Sequence, residues 1–207
     1  MPWPMLHFSI AYRMFDGHPQ HEFLLGSIAP DAVQFREDQL SKAKSHLREC
    51  MGSFPDWPGL IDFYNQRIDD YKDDKYEIFL LGYLSHIMAD DLWAAYKRRI
   101  SNEDKSVLQL IWNEENKCDF HLKRTVPWRD VIERQVAGAA LYEMAGLYTS
   151  EELDIWRRKL FIWLETPENE PLIENQYLND ANVGGFVDEA AVEISDWIKT
   201  KLGKSLS

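Results

Sequence analysis

The chain has 207 residues, 45% of them hydrophobic, with 8 Trp, 9 Tyr and 10 Phe. That content excludes disorder and can fill one sizeable core, so a single domain over residues 1–207 is expected. The formal net charge of -12 argues against nucleic acid or an anionic membrane as partner, since both need a basic face. It leaves room for a phosphate-bearing substrate, because a bound cation inverts the local sign inside a pocket.

The long segments carry helical periodicity and no run alternates strictly enough for a strand, which predicts an all-α, multi-helix fold. A first helix starts near Pro4 and runs through Ile10, Ala11 and Met14, and Asp16-Gly17-His18-Pro19 breaks it. A short second helix carries Phe23, Leu24 and Leu25 and stops before Pro30. Residues 31 to 58 read as irregular, a length that points to a functional loop. Further helices are expected at about 59 to 74, 75 to 100, 102 to 118, 127 to 147, 150 to 165, 170 to 179 and 182 to 202. The end, Ser205 to Ser207, reads as frayed. No apolar run approaches the roughly 20 residues of a membrane span. No signal peptide is visible and Cys50 and Cys118 lack paired-ligand spacing, so a cytoplasmic chain with two free thiols is expected.

The helix containing Gly82-Tyr83-Leu84-Ser85-His86-Ile87-Met88-Ala89-Asp90-Asp91-Leu92-Trp93 is apolar on nearly every face and should run through the interior. His86 and Asp90 are one turn apart and emerge on the same side. Burying both is costly unless something pairs with them, and a metal ion or a His–Asp hydrogen bond would do so. His7, between Leu6 and Phe8, reads by itself as a core or boundary residue. Asp31, after Pro30, reads as a turn residue or helix cap, and His46, in polar company, as solvent-exposed. Taken together, three histidines and two carboxylates suit one or two transition-metal ions, which in pairs activate water and clamp phosphoester oxygens. Spacing alone does not bring these five together.

Asp16-Gly17-His18-Pro19-Gln20-His21-Glu22 is a rival metal cluster, better explained by Pro19 opening a helix, although its histidines could line the pocket mouth. His121 has no matched partner and reads as structural. Trp156/Leu160/Trp163 and Phe186/Trp197 read as core, and Lys97-Arg98-Arg99 as a solvated helix end.

The series His7, then Phe23-Leu24-Leu25-Gly26-Ser27-Ile28-Ala29-Pro30-Asp31, then Lys44-Ser45-His46, then Gly82-Tyr83 leading into His86-x-x-x-Asp90 and Trp93 resembles the zinc-dependent phospholipase C family. More narrowly it resembles that family's intracellular bacterial branch, and the likeness covers about residues 1–95. The resemblance implies an all-helical domain with the metal site in a cleft. It implies that Asp31, His46 and His86 bind one zinc, that Asp90 bridges to a second, and that His7 ligates the second. It makes Asp31 the candidate catalytic base. The ligands of a third zinc in secreted members are not matched: Tyr96 and Leu110 stand at two of those positions, and only Glu114 agrees. The processed N-terminal amine of those members has no clear counterpart in Met1 or Pro2. HD-domain phosphohydrolases need an adjacent His-Asp pair, and none of the six histidines precedes an aspartate.

The expected function is metal-dependent phosphoester hydrolysis of a small-molecule or phospholipid substrate. Zinc is the expected ion, with manganese, iron or nickel admitted by the same nitrogen and oxygen ligands. The alternative is a metal-binding or non-catalytic helical protein that associates with partners. An aromatic-rich acidic chain is compatible with a homodimer, and no stable membrane insertion is expected.

Overall fold

A computed structural model describes residues 4–50, 52, 53 and 55–206, without the side chains of residues 39 and 40. Met1 and Pro2, considered above as a metal contact, and Ser207 lie outside the described residues. The described residues form helices α1 (Pro4–Met14), α2 (His21–Gly26), α3 (Gln39–Ser45), α4 (Trp57–Arg67), α5 (Asp74–Ile100), α6 (Lys105–Thr125), α7 (Ile132–Gly138), α8 (Ser150–Glu165) and α9 (Asp180–Trp197). A 3-10 turn covers Ala29–Val33, and a π-helical turn, Ile198–Leu202, extends α9. Strands are absent among the described residues apart from an isolated bridge between Met144 and Tyr148. The all-α expectation holds.

Helix α5 is the axis of the core. Tyr76, every residue from Phe79 to Asp90, Trp93 and Tyr96 are buried, as an apolar surface wrapping the whole helix demands. Asp73 caps it, accepting a hydrogen bond from the Lys75 N–H at 3.0 Å. Helix α2 crosses α5 at two glycines. A Cβ on Gly26 would lie 2.1 Å from the Phe79 carbonyl oxygen, and one on Gly82 would lie 2.3 Å from that of Phe23. The two backbones touch there, which any side chain would prevent.

Several expected boundaries are corrected. The stretch read as irregular contains α3, started by Asp38, whose carboxylate accepts from the Ser41 N–H at 2.6 Å. Helix α4 ends at Arg67 rather than near 74, because Asp69, Asp70, Asp73 and Asp74 would oppose the negative end of its dipole. Helix α6 runs on to Thr125, and α7 stops at Gly138, well short of 147. Beyond α7 the chain is extended, Tyr142 packs against Tyr76 and Phe79, and Gly146 takes φ +80°. The helix expected at 170 to 179 does not form. The backbone N–H groups of Gln176, Tyr177 and Leu178 all donate to the Glu114 carboxylate, at 2.8, 3.0 and 2.9 Å, so a helix cannot use them. Lys97 is not a solvated residue either, since its ammonium pairs with the buried Glu115.

The later helices brace the ligand-bearing part. Asp119 of α6 accepts from the Met5 N–H at 2.8 Å and so caps the first turn of α1. On α8 the Trp156 indole N–H donates to the Ile28 carbonyl at 2.9 Å, and Glu152 accepts two bonds from Arg36 at 2.6 and 2.7 Å. These contacts hold the 3-10 turn from both ends.

Asp119 yields a test of this bracing. Burial pushes its carboxyl well above the usual range, while the N–H groups of Met5 and Leu6 pull it down. A raised native pKa means the folded state holds the proton more tightly, so this group's contribution is full below the ordinary carboxylate range and is lost as pH rises through the raised value. The melting temperature of Asp119→Asn relative to wild type should therefore be more favourable at pH 7 than at pH 4. Asp119→Ala, which strands a buried N–H, should cost about 1–3 kcal/mol at pH 4 and less at pH 7.

Candidate metal centre

Four segments deliver the five candidate ligands to one place. His7 comes from α1, Asp31 from the 3-10 turn, His46 from the residue that ends α3, and His86 and Asp90 from the middle of α5. All five are buried, between 0 and 5% exposed. Burial overturns the exposed reading of His46: the Tyr83 hydroxyl of α5 donates to the Ser45 carbonyl and draws this polar segment inward. His7 is buried as well, but it is not a satisfied core histidine, since neither ring nitrogen has a hydrogen-bond partner among the described residues.

The ring orientations are set by carbonyl oxygens. His86 Nδ1 lies 2.8 Å from the Ser27 carbonyl and His46 Nδ1 lies 2.9 Å from the Lys42 carbonyl. A carbonyl only accepts, so each Nδ1 carries the proton and each Nε2 of a neutral ring presents a bare lone pair. Those two Nε2 atoms face each other at 3.2 Å. An electrophile placed between them would satisfy both lone pairs at once. Burial pushes His86 down to about 3, with the Asp31 charge opposing the shift and His46 adding to it. His7 is also lowered well below its ordinary value, by burial and then by His86. A proton is thus a poor electrophile for these rings, and a metal ion is a good one.

The carboxylates complete the set. Asp31 Oδ1 is 3.5 Å from His46 Nε2, Asp31 Oδ2 is 4.0 Å from His86 Nε2, and Asp90 Oδ1 is 3.9 Å from His7 Nε2. Burial pushes the Asp31 carboxyl up, and Lys42 with His46 more than offsets it, leaving it well below the usual carboxylate range and ionised. Asp31 Oδ1 and Asp90 Oδ1 are buried without a hydrogen-bond partner among the described residues. Imidazoles held below their ordinary basicity at His7 and His86, an ionised carboxylate and orphaned buried polar atoms are what a metal ion requires.

The ligand atoms fall into two groups able to hold an ion, each with its atoms within 4.8 Å of one another: Asp31, His46 and His86, and His7, His86 and Asp90. The first is the expected set. In the second His86 is shared, with its ring stacked on that of His7 at a centroid separation of 4.0 Å.

The rival cluster does not assemble. His18 and His21 are exposed, and Glu22 pairs with Lys75 at 3.2 Å. His121 does have a partner, Asp180, at 2.6 Å. The positions corresponding to a third metal are committed elsewhere. The Tyr96 hydroxyl donates to the Asn182 carbonyl at 3.0 Å, Leu110 is exposed, and Glu114 holds the loop before α9. Sequence reasoning missed the Ser27 and Lys42 carbonyls, which set the ring orientations. It also missed Lys42 Nζ, 3.3 Å from Asp31 Oδ1, and Arg48 Nη2, 2.7 Å from Asp90 Oδ2. The one available signal was Lys42 standing one helical turn before His46.

Residues 6–93 match the zinc dependent phospholipase C family. The matched stretch opens one residue before His7, contains all five clustered side chains and ends on Trp93. The zinc-dependent phospholipase C resemblance read from the sequence therefore coincides with the cluster the fold assembles. No curated protein and no solved structure gives a match. Among the described residues no helix is long and apolar enough to cross a membrane.

Proposed function

We propose that this chain is a metal-dependent phosphoesterase that hydrolyses a phosphodiester, in a small molecule or a phospholipid. The observation that carries the reading is the convergence of the Nε2 atoms of His46 and His86, 3.2 Å apart and flanked by Asp31. Asp31, His46 and His86 supply three protein atoms to one ion, which leaves a coordination position open as catalytic sites do. Asp31, His46 and His86 would hold one ion; His7 and Asp90, with His86 alongside, would hold a second. Zinc is the ion the family match supports, and manganese, iron or nickel suit the same donors. When bound, such ions acidify water and neutralise charge developing on phosphorus.

The protein's own contribution is positional. Ser27 and Lys42 fix the two imidazoles through their Nδ1–H groups. Asp31, ionised and backed by Lys42, would accept a hydrogen bond from the attacking water and take up its proton as the new P–O bond forms and the P–O bond to one ester oxygen breaks, the released alkoxide taking a proton to leave as the alcohol. The later helices fix the geometry, so residues 1–207 act as one unit in this reading. A closed structural metal centre is the second reading, favoured by the burial of all five side chains.

Metal analysis of the purified protein, with turnover of bis-p-nitrophenyl phosphate before and after chelation, separates the two. About two equivalents of metal and chelator-sensitive turnover are expected. Bound metal with no turnover, even after added zinc or manganese, would establish the structural centre instead.

A further inference from the structure

A cavity of about 440 Å³ opens between the start of α1, α6, α8 and the segment that follows the 3-10 turn, and none of the side chains lining it belongs to the ligand cluster. That volume suits a small molecule. Its walls are largely apolar: Phe35, Trp156, Leu160 and Ile162 line it, and Phe35 and Ile162 stay 51% and 64% exposed. Large apolar residues scattered singly over a surface need no explanation, whereas two bordering one concavity do. The Phe35 ring stands edge-on to Trp156, with centroids 6.1 Å apart and planes at 61°. The Trp156 indole N–H is already given to the Ile28 carbonyl, so this residue offers the cavity apolar surface alone.

Two polar groups break that lining. Asn116, half-buried on α6, has its Oδ1 buried without a hydrogen-bond partner among the described residues, a cost that a donor in the cavity would remove. The terminal torsion of asparagine is soft, so a small rotation turns that oxygen toward a ligand. Lys159, exposed on α8, holds its Nζ 4.1 Å from the Phe35 ring centroid, and among the described residues no carboxylate pairs with it. An apolar body with one donor and one negative charge therefore matches the cavity. A flat ring suits these walls better than a flexible chain, because it meets Phe35 and Trp156 in stacked or edge-on contact and loses little freedom on binding.

We propose that this cavity is a binding site for a small aromatic carboxylate with a ring N–H or O–H. The ring packs against Phe35 and Trp156, the carboxylate meets Lys159, and the ring donor meets Asn116 Oδ1. The site is separate from the metal centre and does not depend on the phosphoesterase reading. Phe35 follows the 3-10 turn that carries Asp31, so the ligand lies against the segment leading out of the centre.

The test is calorimetric titration with indoleacetate, with indole, which lacks the carboxylate, and with N-methylindoleacetate, which lacks the donor. Wild type should bind indoleacetate with a dissociation constant of roughly 1 mM or lower, and the other two more weakly. Lys159→Met should weaken indoleacetate about threefold and leave indole unchanged. Asn116→Leu should weaken indoleacetate about threefold to tenfold and leave N-methylindoleacetate unchanged. The unchanged ligand shows in each case that the cavity persists, and Lys159→Met, at an exposed position, tests the site even where Asn116→Leu does not fold. Chelation should alter none of these affinities. Absence of indoleacetate binding to wild type would overturn the proposal, as would indoleacetate affinity unchanged in both variants. Binding lost on chelation would also overturn it, by assigning the carboxylate to the metal centre.

Discussion

His86→Ala should empty the centre of metal and abolish turnover in the same step. His86 belongs to both candidate groups and its Nε2 has one lone pair to give, so its loss removes a donor whichever ion it holds. The substitution also leaves the Ser27 carbonyl without its ring N–H and deprives His7 of the ring it stacks on. Changing a residue that only orients a ligand typically lowers metal affinity 10–100-fold, so losing a ligand itself should exceed roughly 100-fold. Metal analysis after dialysis and turnover should fall together. A readout independent of activity follows from linkage: metal at about a thousand times its dissociation constant stabilises the native state by roughly 4 kcal/mol. Wild type should therefore melt higher with added zinc, and His86→Ala should show little of that rise. His121→Ala, which breaks only the pair with Asp180, should behave as wild type in all three measurements. Turnover that survives in the His86→Ala, Asp90→Ala double variant would sink the enzymatic reading.

The sequence disclosed this centre unevenly, for reasons that lie in the range of the interactions. Helix α5 was legible because its apolar residues wrap all faces, and a histidine and a carboxylate stand out against them. Asp31 and His7 were ambiguous, since a carboxylate after proline and a histidine between apolar residues each have ordinary structural explanations. His46 pointed the wrong way. Lys-Ala-Lys-Ser-His is polar locally, and it is buried only because Tyr83, 38 residues further on, binds the Ser45 carbonyl. Only the ordered series of all five, read as a resemblance, brought them together ahead of the fold. The bracing from Asp119, Glu152 and Trp156 was not legible, since each acts over more than 100 residues of chain through a single hydrogen bond or ion pair. The absent helix at 170 to 179 has the same origin. Local pattern favoured it, and a distant carboxylate, Glu114, claimed its N–H groups.

Gly82→Ala, like Gly26→Ala across the same crossing, should be among the most damaging single methyl groups added to this chain. The new Cβ would sit 2.3 Å from the Phe23 carbonyl oxygen and 3.0 Å from the Ser27 N. Both neighbours are backbone, so no side chain can swing aside and α2 must move off α5. Overpacking a core costs typically 1–3 kcal/mol, and a clash of backbone with backbone belongs at the top of that range or above it. For a chain of this size about 3 kcal/mol corresponds to a fall of roughly 6–12 °C in melting temperature. The displacement does not stay local. Ser27 directly follows α2, and its carbonyl is the acceptor that holds the His86 ring, one turn beyond Gly82. Separating the helices lengthens that bond, so metal affinity should fall by the 10–100-fold typical of losing an orienting partner, although no ligand has been touched. Gly184 and Gly185 supply the internal contrast. They lie in α9 with nothing within 4 Å of an added Cβ, so alanine there should raise stability by about 0.4–1 kcal/mol. The same methyl group is thus expected to act with opposite sign at the two places. A neutral Gly82→Ala with unchanged zinc affinity would mean that α2 and α5 do not cross at their glycines, and that the Ser27 carbonyl does not orient His86.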